Sequence, residues 1–140
     1  MEKKAITHLL YMKSTYWSKL SKEIRGDPDV KCVICGRSAY TRYKVGAKKG
    51  KLRKLLTLQC HHVRYDNMGV PELEKKDIIT VCHACHEFGH ILQKLAKRFP
   101  IFEKLYKIFK AETSWDYEEN VKKEYMVPVD FKIPQKRKNK

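Results

Sequence analysis

No stretch of the 140-residue chain approaches the ~20 consecutive apolar residues that a membrane-spanning helix requires. The opening residues, MEKKAITHLLYMKSTYW, lack an apolar core followed by a small-residue cleavage site. The N-terminus therefore reads as mature protein, and an intracellular, cytoplasmic location without membrane partners is expected. Acidic residues are scarce: 16 Asp and Glu stand against 31 Lys and Arg, a net charge of +15. That imbalance points to a polyanionic partner, with nucleic acid ahead of an anionic membrane surface, although a basic surface can also be merely solvated. There is no internal repeat beyond two Cys-x-x-Cys pairs.

With 140 residues, 42% of them hydrophobic, the chain can form one domain with a modest core and short extensions. Domains of this size often need a staple, from a metal or from disulfides. The five cysteines leave one over: Cys32 and Cys35 form one pair, Cys82 and Cys85 another, and Cys60 stands alone. In an intracellular chain this arrangement favours metal over disulfides. Two residues between cysteines let both thiolates face one ion from a single turn, and two such pairs complete a closed tetrahedral zinc site. A thioredoxin-like redox pair is disfavoured, because no βαβ context surrounds either pair. Such a zinc has no open position and would hold the fold. Cys60 is expected to be a small buried hydrophobe.

Apolar residues at Ile6, Leu9, Leu10, Tyr16, Trp17, Leu20 and Ile24 predict an amphipathic helix over 5–24. Gly26, Asp27 and Pro28 end it, with Gly26 taken as a left-handed cap. Gly36, after the second cysteine, lets the backbone fold back toward a metal. A hairpin is predicted with strands from Tyr40 to Val45 and from Leu52 to Cys60. It carries Arg42, Lys44, Lys48, Lys49, Lys51, Arg53 and Lys54 and no acid. These residues are either a phosphate-contacting flap or a solvated tip. Residues 63–76 read as a loop with a short helical turn, and Ile78 to Val81 as a strand. Helices follow from Cys82 up to Pro100 and from Ile101 to Lys110. A last helix is expected over 114–126 with Ser114 as its N-cap, and a loosely ordered tail from Val127. The expected organisation is thus an N-terminal helical extension (1–28), a core (29–99), C-terminal helices (100–126) and a basic tail (127–140).

Five of the six histidines fall within residues 61–90, far more than even scattering would place there. His61 and His62 end a predicted strand. His86 and His90 are four apart on a predicted helix, share a face and make a ready metal-ligand pair. His83 is expected to face solvent or to support the ligands from behind.

The segment LQCHHVRYDNMGVPELEKKDIITVCHACHEFGH, from Leu58 to His90, resembles the HNH endonuclease signature. That signature has a His-His or Asp-His pair on a strand, a loop, an Asn or Asp before an apolar run, then Cys-x-x-Cys-His and a final His. With Cys32 and Cys35 upstream, the likeness is to the zinc-binding kind and covers about residues 30–92. It implies an α+β fold with a small ββα-metal, treble-clef-like core, and metal-dependent hydrolysis of DNA. By the resemblance, His62 would be the general base, and His61 and His86 ligands of a catalytic divalent ion. His90 would bind that ion or the scissile phosphate. Asp77, in the place of the signature's Asn, would orient the His62 ring. Arg64 would join the hairpin residues in contacting DNA. The implied cofactors are a structural Zn²⁺ and a catalytic Mg²⁺, Mn²⁺ or other transition ion, histidine ligation favouring the last. Because neighbouring residues on a regular strand face opposite ways, a twist or bulge at 61–62 is expected if both histidines serve one site. A non-catalytic zinc module that binds nucleic acid, or a zinc-containing protein–protein module, would account for the cysteines but not for four clustered histidines.

Overall fold

The computed structural model describes residues 2–115 and 124–134. Among these, five helices and three antiparallel strand pairs form a small mixed α+β fold. The described helices include none long and apolar enough to cross a membrane.

The predicted first helix is three elements. Strand β1 (Lys3–Thr7) precedes α1 (His8–Met12) and α2 (Thr15–Arg25). Two N-caps impose the breaks. The Thr7 side chain accepts from the Leu10 amide, and the Ser14 side chain accepts from the Trp17 amide at 3.1 Å. Ser14 also donates to the Tyr11 carbonyl at 2.6 Å and is 1% exposed, so the kink lies inside the core. The helical spacing persists across the break, which is why periodicity alone reads one helix. Gly26 ends α2 with a right-handed φ of −86°, not the left-handed cap expected. Its missing side chain serves another purpose: a Cβ there would lie 2.9 Å from the Lys22 carbonyl oxygen.

The knuckle at Cys32–Cys35 is tied to the sheet behind it. Gly36 has φ +76°, and its amide donates to the Cys32 carbonyl. The predicted long hairpin is divided. Strands β2 (Tyr40–Arg42) and β3 (Leu52–Lys54) form a short basic ribbon, whereas β4 (Leu58–His62) pairs with β5 (Ile78–Cys82). Between them, α3 (Pro71–Glu74) and a tight turn at Lys75–Asp77 supply the short helical stretch the sequence suggests. Helix α4 (His83–Arg98) starts directly from β5, and α5 (Pro100–Thr113) folds back on it.

No helix begins at Ser114. That residue is the left-handed C-cap of α5, with φ 61°. The last helix expected at 114–126 falls largely outside the described residues. Its end is strand β6 (Glu124–Pro128), which pairs with β1 along its whole length. Val127 is fully buried and Phe131 is 7% exposed, so the tail is not loose where it is described. Ile6, Tyr11, Trp17, Leu20, Met68, Tyr125, Val127 and Phe131 form one core cluster. Residues 6–20 and 125–131 are thereby packed together against the β4–β5 unit, so the segment expected as an N-terminal extension contributes to the core. The other two clusters lie around the cysteines and between α4 and α5.

Candidate metal centres

The β4–β5–α4 unit positions two groups of donor atoms. In the first, the sulfurs of Cys32, Cys35, Cys82 and Cys85 all lie within 4.8 Å of one another. The first pair comes from the Gly36 turn and the second from the junction of β5 and α4. Sulfurs ~2.3 Å from a shared tetrahedral zinc sit about 3.8 Å apart, and Cys35 Sγ is 4.0 Å from Cys82 Sγ. The Arg37 guanidinium donates to Cys35 Sγ at 3.4 Å and to Cys82 Sγ at 3.5 Å. The side-chain hydrogen bond from Arg37 is the main reason the Cys35 thiol is lowered to about 6. Burial pushes Cys82 up, but bonds from Cys85, Arg37 and Cys32 outweigh it and the net shift is down. These four cysteines can therefore hold a structural metal such as zinc. Cys60 stays apart, half-buried, its thiol pushed up to about 11 by that burial.

In the second group, His61 of β4 meets His86 and His90 of α4, with one nitrogen of each within 4.8 Å of the others. The Nε2 atoms of His86 and His90 are 3.2 Å apart. Two imidazole nitrogens ~2.0–2.1 Å from one tetrahedral ion would sit about 3.3 Å apart. Burial is the leading cause that lowers both the His86 and His90 pKa values, with His90 adding to the effect on His86 and Lys94 to that on His90. Both shifts favour the neutral ring, which is the form that binds metal. His83 takes no part: it is exposed and pairs with Glu87 at 3.2 Å.

His62 is not brought to this centre. The β4–β5 register runs unbroken from Leu58↔Cys82 to His62↔Ile78, so the irregularity expected at 61–62 is absent. On a regular strand His62 must face away from His61. Its ring packs against Trp17, Tyr65 and Tyr11, and its Nε2 lies 2.9 Å from Glu74 Oε2. Asp77 does not orient His62. Its carboxylate accepts from Asn67 Nδ2 at 2.8 Å, and its backbone carbonyl holds the Val63 amide. The partner of His62 is Glu74, whose side chain was not singled out from sequence. Glu74 is fully buried, and its oxygens also accept from Tyr11 Oη, Tyr16 Oη and the Gly69 amide. Burial pushes its carboxyl up, but these donors, led by His62, outweigh it and the net pKa is lowered.

Trp115 is the other residue the sequence reading missed. It is 1% exposed and stacks on His61, with ring centres 4.4 Å apart and planes 7° from parallel. It also meets His90 edge-on at 5.1 Å. The Ser114 cap turns the chain so that the indole lies on α4 at Gly89, where a Cβ would come within 2.6 Å of the ring. A glycine inside a strongly helical pattern costs ~1 kcal/mol relative to Ala and hints at close packing. Gly89 was the available clue.

A cleft of about 700 Å³ adjoins Trp115 and includes Asp77, Asn67 and Arg64 in its lining. The basic residues of the β2–β3 ribbon and its turn, from Arg42 to Lys54, are exposed. Arg42 is held to the Gly50 carbonyl at 2.8 Å, and Lys48 lies over the Tyr43 ring. Comparison with protein-family models, with curated proteins and with solved structures finds no match, so the functional reading rests on this geometry and on the sequence signature.

Proposed function

We propose that the chain is a metal-dependent endonuclease that hydrolyses DNA phosphodiester bonds at the His61–His86–His90 centre. The β4–β5–α4 unit is then a ββα-metal core of treble-clef kind, held by zinc at the four cysteines. The observation that carries this reading is the convergence of three histidines, one from a strand and two from a helix, immediately beside a four-sulfur cluster. A structural zinc needs only the cysteines. A second, nitrogen-donor set has three protein ligands, the number typical of catalytic sites that leave a position for water or substrate.

A divalent ion held there would supply Lewis-acid polarisation of the phosphate and charge for the leaving oxygen. The chain's own residues do the rest. Burial favours the neutral forms of His86 and His90, the forms that bind metal. Trp115 fixes the His61 ring and shields one of its faces from water. In the net reaction a water oxygen bonds to phosphorus and the bond to the 3′ oxygen breaks. The water gives up a proton and the leaving oxygen gains one. His62 is assigned no proton transfer, because its Nε2 is engaged by Glu74 on the opposite face of β4.

The same two facts, a capped His61 and an engaged His62, favour a second reading: a non-catalytic, zinc-stabilised module that binds nucleic acid. Cleavage of supercoiled plasmid separates the two, with Mg²⁺, Mn²⁺ or Ni²⁺ restored after mild chelation. The nuclease reading expects ion-dependent cutting that His86→Ala abolishes while DNA binding persists. Salt-sensitive binding with no cutting under any of the three ions would replace it with the module.

A further inference from the structure

We infer that the C-terminal helix α5, outside the zinc-bearing segment, supplies one wall of the DNA groove, with Lys110 as a phosphate-binding residue. This rests on the reading of the chain as a DNA-acting protein and locates where the strand lies. The cleft that Trp115 lines has a volume of about 700 Å³, and among the described residues three cations from three parts of the chain line it. Arg64 follows β4, Lys76 precedes β5, and Lys110 stands in the last turn of α5. None of the three is ion-paired among the described residues. Lys110 instead lies 4.9 Å over the Tyr106 ring, which holds the ammonium in place without neutralising it. Among the described residues the single carboxylate in the lining, Asp77, is 8% exposed and occupied by Asn67, so it offsets little of the charge of the described cations.

Trp115 connects this cleft to the proposed chemistry. The same indole lines the cleft and stacks on His61 at 4.4 Å. A phosphodiester strand lying along Arg64, Lys76 and Lys110 therefore runs past the indole that packs on the three-histidine centre. The lysines of the β2–β3 ribbon are more numerous, but they sit on an exposed two-stranded tip. A concave site lined by cations from separate elements surrounds a polyanion more closely than an exposed ribbon tip does. Lys110 carries a further local role: in the last turn of α5 it offsets the negative end of the helix dipole, which would otherwise repel phosphate.

The test is fluorescence anisotropy of a labelled DNA duplex, without added divalent ion, at several salt concentrations. Wild type is compared with Lys110→Glu, Lys110→Ala and Lys48→Glu, and plasmid cutting is measured on the same proteins. Lys110→Glu is expected to weaken binding at least about tenfold. Lys110→Ala should weaken it less and lower the slope of log K against log salt by about one, the signature of one lost phosphate contact. Lys48→Glu should have the smaller effect of the two charge reversals. Circular dichroism and melting guard against an unfolded variant. If Lys110→Glu binds and cuts like wild type, the cleft is not the groove, and the nuclease reading is untouched. If wild type cuts nothing but Lys110→Glu loses binding, the groove stands and the nuclease reading falls. Wild type that fails to bind duplex at all overturns both.

Discussion

Replacing Glu74 with Gln tests whether the carboxylate holds the α1–α2 layer to β4. Glu74 is fully buried, and its two oxygens accept from four donors on four parts of the chain: Tyr11, Tyr16, His62 and the Gly69 amide. Gln keeps the shape and one acceptor oxygen, but it sets an NH₂ donor against two groups that now donate. A hydrogen bond to a charged group contributes ~1.5–3 kcal/mol and a neutral one ~0.5–1.5 kcal/mol. Losses at all four bonds, two of them unmade, are partly offset because a neutral amide costs less to bury than a carboxylate, leaving a net cost of about 3 kcal/mol. Glu74→Ala, which leaves every donor stranded, should cost about 4 kcal/mol, as expected when several buried donors lose a charged acceptor. With an unfolding entropy of about 0.3 kcal/mol/K for a chain of this size, Glu74→Gln should lower Tm by about 10 °C. The pH dependence carries a sign. The folded pKa of Glu74 lies below its ordinary value. Its contribution is therefore fully present above the unfolded carboxyl pKa of ~4.3 and is lost as pH falls through the folded one. The gap in Tm between wild type and Glu74→Gln should be widest near neutrality and close in acid. Melting by circular dichroism from neutral pH downward measures both. A deficit under about 1 kcal/mol, or a gap that does not narrow in acid, would refute the reasoning.

Other outcomes follow from the same geometry. Gly89→Ala places a Cβ 2.6 Å from the Trp115 ring; overpacking should cost about 1–3 kcal/mol and change tryptophan fluorescence by displacing the indole. Ser14→Ala removes the α2 cap and strands buried groups, and chemical denaturation should show a loss of about 1–2 kcal/mol. Cys32→Ser, or strong chelation, should release about one zinc per chain and lower the melting temperature; unchanged metal content and melting would eliminate the staple. Because burial lowers the His86 and His90 pKa values, protonation of these two rings should compete with metal at lower pH than it would for ordinary histidines. Isothermal titration with Ni²⁺ across pH 5–8 reads this as affinity that holds near neutrality and falls at the acid end.

The metal-bearing part of the chain was the most legible. Cys-x-x-Cys spacing and the i, i+4 histidines are local rules, and the fold assembles Cys32, Cys35, Cys82 and Cys85, and His61, His86 and His90, as those rules imply. The role expected of His62 did not emerge from the geometry, because it required two neighbours on one strand to face the same way. Nothing in the unbroken β4–β5 register forces that exception. Glu74 and Trp115 were invisible for a different reason. Glu74 meets Tyr11 across 63 positions and Trp115 reaches back to His61, and no local pattern encodes such contacts. Likewise, the pairing of β1 with β6 joins segments more than a hundred residues apart, Lys3–Thr7 and Glu124–Pro128. Each strand alone is short, and the first sits within a helix-like spacing.

The central claim is that the histidine centre, and not the cysteine cluster, hydrolyses DNA. The most direct measurement pairs metal content with plasmid cleavage, for wild type and for the His61→Ala/His86→Ala double variant under the same added ion. Wild type should hold about one tightly bound zinc plus an exchangeable second ion and should cut, whereas the double variant should keep the zinc, lose the second ion and cut nothing. Cutting that survives in the double variant, or a wild type that takes up the second ion and cuts nothing, would contradict the account.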